Sequence, residues 1–92
     1  MTVKEFNQLC IRVLGDNMEV IAMEECGELI QAISKAKRDK LDYENLCEEI
    51  ADVFICLEWI KEKYNVLDED VQAWVEAKTN RCLERIKTGE FK

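Results

Sequence analysis

The stretch EECGELIQAISKAKRDKLDYENLCEEIAD, residues 24–52, decides the fold. Apolar residues recur at spacings of three and four on both sides of a polar, basic break, KAKRDK at 35–40. That period belongs to amphipathic helices. A basic run suits the end of the first, and Asp42 is a candidate N-cap for the second. The link near Asp39–Leu41 is short, so the two helices must run antiparallel.

Working outward, the first of these helices is predicted over Met18–Arg38, with Asp16 or Asn17 as cap. Its central stripe is Ala22, Cys26, Leu29, Ile33 and Ala36. The second is predicted over Tyr43–Tyr64, with the stripe Leu46, Ile50, Val53, Leu57, Ile60 and Tyr64. Before them, Val3–Leu14 reads as a helix opened by a Thr2/Glu5 capping box and stopped at Gly15. Phe6, Leu9, Cys10, Val13 and Leu14 form its apolar face. After them, Glu69–Thr88 reads as a last helix, capped by Asp68 and followed by Gly89. Its stripe is Val71, Val75, Cys82 and Ile86. One domain covers residues 1–92, and the class is all-α with four helices.

Two pairs of acids sit beside the central stripes: Glu25 with Glu28, and Glu49 with Asp52. A helix turns about 100° per residue, so each pair lies about 60° and 120° from its stripe centre, in the same rotational sense. Equal-sense offsets on facing antiparallel helices point to one side. The heights also agree. Counted from Lys40, the first pair lies 12 to 15 residues back and the second 9 to 12 residues on. At about 1.5 Å per residue, all four acids fall within one turn of one another. Clustered carboxylates repel unless protonated or neutralised. An all-oxygen set with no His or Cys suits a hard divalent cation, Mg²⁺ or Mn²⁺. The alternative is a solvated acidic face, which the 20 acidic residues make common. Glu48 and Glu58 point away from the stripe and are assigned to solvent.

Composition narrows the function classes. The net charge of −7 argues against a nucleic-acid partner, since binding there rests on Lys and Arg contacts to phosphate. No apolar run approaches the length of a membrane span, and the N-terminal residues lack a signal core. A soluble cytoplasmic protein is expected. Five cysteines without a single His disfavour a zinc site or a Cys–His nucleophile. The cysteines read as small apolar residues in a reducing compartment. A chain this short buries a limited core, so self-association as a dimer or tetramer is expected. Phe54 and Trp59, on opposite flanks of one stripe, leave surface for a partner. The last helix carries an anomaly: Lys78 falls inside its apolar stripe, with Trp74, Arg81 and Arg85 along the same flank. A lysine there either snorkels or, together with Arg81, grips phosphate oxygens.

These residues resemble a known family. EECGE at 24–28 and EIAD at 49–52, separated by 20 residues, are similar to the EExxE…ExxD signature of MazG-type nucleotide pyrophosphohydrolases. KTNR at 78–81 is similar to the basic segment on their last helix. The resemblance spans nearly the whole chain. It implies Mg²⁺-dependent hydrolysis of a nucleoside triphosphate to the monophosphate and pyrophosphate. It carries metal-ligand roles onto Glu25, Glu28, Glu49 and Asp52, and phosphate roles onto Lys78, Arg81 and Asn80. Glu24 matches the first Glu of the motif and would orient water or support a ligand, although the wheel puts it far from the stripe. Trp59 and Trp74 are candidates to lie against the base. The phosphoribosyl-ATP branch usually has a His soon after the second motif, which this chain lacks. A non-catalytic helical module with an acidic binding face, and a relative acting on dUTP, a damaged nucleotide or an alarmone, stay open.

Overall fold

The computed structural model describes residues 1–90. Four helices follow in order: α1 Val3–Leu14, α2 Asn17–Lys37, α3 Tyr43–Lys63 and α4 Asp68–Thr88. No strand occurs among the described residues, and the chain is all-α. Every boundary falls within one residue of the sequence prediction.

The caps explain most of these ends. Thr2 Oγ1 accepts from the Glu5 N–H at 3.1 Å, and Asp42 Oδ1 accepts from the Asn45 N–H at 3.0 Å. Gly15 and Gly89 close α1 and α4 with φ of +55° and +79°, a region glycine reaches without strain. Two expected caps are different. Asp16 is itself helical and makes no capping bond; instead the Met18 N–H reaches the Gly15 carbonyl at 3.2 Å. Asp68 is the first residue of α4, and its carboxylate accepts from Lys61 Nζ at 2.7 Å instead of capping.

α2 and α3 pack along each other, and α1 lies against both, chiefly against α3. The pair is antiparallel, tied at the open end by Glu19 near the start of α2. Tyr64 Oη donates to its carboxylate at 2.8 Å and Lys63 pairs with it. At the other end Asp39 turns the chain with a φ of +60°, which its short polar side chain tolerates.

The faces the helices bury differ from the predicted stripes by about one residue. On α2 the covered positions are Met18, Ala22, Glu25, Leu29, Ala32 and Ala36, while Ile33 is 52% exposed. On α3 they include Glu49, Asp52, Val53 and Cys56, while Ile50 and Leu57 stay largely exposed. α1 covers Asn7 rather than Phe6 or Val13. Thus the inner seam takes in carboxylates beside Met18, Ala22, Ala32 and Cys56, and several predicted stripe positions are left outside. The reason is that three helices in one chain cover only one side of the α2/α3 pair.

α4 packs against none of the others beyond a marginal contact and has no buried residue. α4 therefore does not lie along α3 within one chain. The radius of gyration is 16.6 Å, against about 12 Å for a compact chain of this length. The apolar side chains of α4 stay exposed, Trp74 at 67%.

Candidate metal centre

The predicted convergence of the four acids is present. Glu25 and Glu28 from α2 and Glu49 and Asp52 from α3 each offer an oxygen, and these oxygens all lie within 4.8 Å of one another. The i, i+3 spacing puts each pair on one side of its helix, and antiparallel packing brings the pairs to one height. The cluster is graded in exposure. Glu49 is 7% exposed, Glu25 and Asp52 are half-buried, and Glu28 faces solvent. Glu24 is exposed and stands outside the cluster.

Two of the oxygens are orphans. Glu25 Oε2 and Glu49 Oε2 are buried and have no hydrogen-bond partner among the described residues. Glu49 Oε1 accepts from Asn45 Nδ2, at 3.4 Å. A buried carboxylate left unpaired is costly. Both carboxyls are held above the usual carboxylate range. Burial, then the charges of Glu28 and Asp52, push the Glu25 carboxyl up to about 7. Burial and Glu28 raise Glu49 as well.

The donor set fits a hard divalent cation. It is all oxygen and anionic, and it has unpaired lone pairs facing inward. An ion with ligands at about 2.1 Å sets opposite oxygens about 4.2 Å apart, the same order as the observed spread.

Beside the acids opens a cleft of about 220 Å³ lined by Phe6, Ile21, Glu25, Asp52, Ile55, Cys56 and Trp59. The structure thus joins Trp59 to the acidic pairs, as its flank beside Asp52 suggested. Burial pushes the Cys56 thiol up to about 11, so it serves as a neutral wall. Lys78, Asn80 and Arg81 are exposed on α4, and α4 does not pack on α2 or α3 among the described residues, so they are not brought onto the acids.

Sequence reasoning did not find Asn45 or the part of Phe6 in the cleft. Asn45 had a signal: it stands one turn before Glu49 on the same face. Phe6 had none, because its place depends on how α1 crosses α3.

The sequence model described as the MazG nucleotide pyrophosphohydrolase domain matches residues 15–84. Those residues take in α2 and α3 whole and most of α4. No curated protein and no solved structure matches the chain.

Proposed function

The chain belongs to the MazG nucleotide pyrophosphohydrolase family, and from that premise we propose that it hydrolyses a nucleoside triphosphate, ribo- or deoxyribo-, to the monophosphate and pyrophosphate with Mg²⁺ or Mn²⁺ bound. The observation that carries this reading is the convergence of four carboxylates, two of them with orphaned buried oxygens. Glu25, Glu28, Glu49 and Asp52 would hold the cation. When bound, it supplies charge neutralisation at the phosphates and a more acidic water. A carboxylate oxygen left free of the cation would take a proton from the attacking water. Glu24, at the solvent edge of α2, would act only on waters there.

The reading extends to self-association as a dimer or tetramer. It is supported by the exposed apolar residues of α3 and α4, among them Phe54 and Trp74. With α4 standing off its own chain, Lys78, Asn80 and Arg81 would meet the triphosphate from a second copy. No helix among the described residues is long and apolar enough to cross a membrane.

The test is a panel of nucleoside triphosphates with pyrophosphate detection, run with Mg²⁺, with Mn²⁺ and with chelator. Pyrophosphate release that requires the metal is the expected result. A chain that releases none on any substrate, and binds no divalent ion by calorimetry, would overturn the proposal.

A further inference from the structure

Among the described residues, one side chain other than the acids themselves donates to the cluster. Asn45 Nδ2 lies 3.4 Å from Glu49 Oε1. Glu49 is the deepest of the four acids, 7% exposed, and its second oxygen, Oε2, is buried without a partner. One oxygen of this carboxylate therefore has an amide donor, and the other is left for something the chain does not supply.

Asn45 is itself held. It is the third residue of α3, and Asp42 Oδ1 accepts from its backbone N–H at 3.0 Å. That cap fixes the first turn of the helix. The i, i+4 spacing then puts Asn45 on the same face as Glu49.

The residue type matters. The last torsion of a glutamate is broad and roughly two-fold, so burial by itself does not decide which oxygen faces the neighbouring acids. A lysine or arginine at position 45 would pair with the carboxylate and compete with a cation for it. A further acid would add to the repulsion in the cluster. An amide donates without bringing a charge. It fixes the carboxylate and leaves the whole negative charge of the cluster for an ion.

We propose that Asn45 is a positioning residue for the cation: its amide N–H holds Glu49 Oε1, so that Oε2 is kept free as the ligand atom. The inference rests on the cation reading given above and goes beyond it by naming the group that orients a ligand. Groups that hydrogen-bond a ligating side chain in this way are typically worth about 10–100-fold in metal affinity.

Binding is tested apart from turnover, by calorimetric titration of the metal-free protein with Mg²⁺ and with Mn²⁺. Asn45→Leu roughly keeps the size of the side chain and removes the donor. Its dissociation constant for either ion is expected to rise about tenfold, the lower end of that range. Asn45→Gln retains an amide and should recover most of the loss. Asn45→Leu with wild-type affinity would overturn the proposal, and so would Asn45→Gln binding no better than Asn45→Leu. The contact is also read in the wild-type chain. In a ¹H–¹⁵N spectrum the side-chain amide pair of Asn45, assigned through its backbone signals, should move when Mg²⁺ is added, and should move in metal-free Glu49→Gln. A pair indifferent to both changes would overturn the proposal even if Asn45→Leu failed to fold. A wild-type chain that binds neither ion sinks the cation reading and this inference together. A wild-type chain that binds while Asn45→Leu binds equally well sinks this inference alone.

Discussion

The α2/α3 pair and α4 use their sequences in opposite ways. The pair turns carboxylates inward and leaves Ile33, Ile50 and Leu57 largely exposed. α4 has no interior; its lysine, arginine, tryptophan and valines all face solvent. One region is an acidic site lacking a counter-charge, and the other is a helix whose second half carries Lys78, Arg81, Arg85 and Lys87 and which lacks a surface to lie on. Each lacks what the other has, yet within one chain they do not meet. Burying charged groups is unfavourable unless they are compensated, so the inward acids point to a bound cation. Leaving exposed apolar side chains in water is also unfavourable, and it is for α4 and the outer face of α3 that a second copy is proposed.

The sharpest way to break this contrast is to disarm the acidic half. Glu28→Gln and Asp52→Asn are each expected to reduce Mg²⁺-dependent hydrolysis to background, with the helical circular dichroism unchanged. Glu48→Gln, on the exposed face of α3, should be nearly silent. Near-native turnover by either cluster variant at saturating Mg²⁺ would separate the acids from catalysis.

The next effect falls on assembly. Trp74→Asp puts a charge in the middle of the exposed apolar surface of α4. Sedimentation should then show a shift toward monomer at micromolar concentration, and activity should fall with it. A wild-type chain that sediments as an active monomer would end the idea that α4 needs a partner.

Lys78→Met sharpens the comparison further. Methionine preserves the length of the side chain and cannot donate to a phosphate oxygen. Melting temperature should hold or rise, while kcat/KM falls at least tenfold if one charge-assisted contact of about 1.5–3 kcal/mol is lost. Mixing Lys78→Met with Glu28→Gln then tells where α4 acts. Activity above that of either variant alone means that one copy lends its lysine to the acids of another. A mixture no more active than Lys78→Met by itself returns Lys78 to its own chain.

The helices and the acidic cluster were legible in the sequence because both follow from local rules. Spacing of three and four fixes helix type, a short link fixes antiparallel sense, and i, i+3 pairs on such helices must converge. What was not legible depended on more than one helix. Ile33 and Ala32 are neighbours in sequence, and which of them faces inward depends on how α2 is rotated against α3, its main neighbour. The crossing of α1 brings Phe6 beside Trp59. Lys78 looked like a core anomaly because its stripe was taken to be buried in the chain. In the structure the stripe is exposed from end to end, so the lysine bears no desolvation there and the anomaly passes to whatever covers α4.

The smallest expected effect reads the acidic half by itself. Without metal, burial and the neighbouring Glu28 and Asp52 raise the Glu25 carboxyl from an ordinary 4.5 to about 7. A group whose carboxyl titrates higher in the folded than in the unfolded chain stabilises the fold in its protonated form. That contribution is whole below about pH 4.5 and is lost as the pH rises through about 7. The metal-free protein should therefore melt at a lower temperature at pH 8 than at pH 5.5. Glu25→Gln carries no charge to repel its neighbours, so its melting temperature should depend less on pH over the same interval. A residual slope is expected from Glu49, which is raised by burial and by the same neighbour. Saturating Mg²⁺ should lift the wild-type melting temperature most at pH 8, because a cation competes with protons for the same oxygens. Calorimetric melts of the two proteins at both pH values, with and without Mg²⁺, decide the point. Equal pH slopes in wild type and Glu25→Gln would mean that the four acids stand close together without sensing one another, and the acidic half would then be a solvated surface rather than a site.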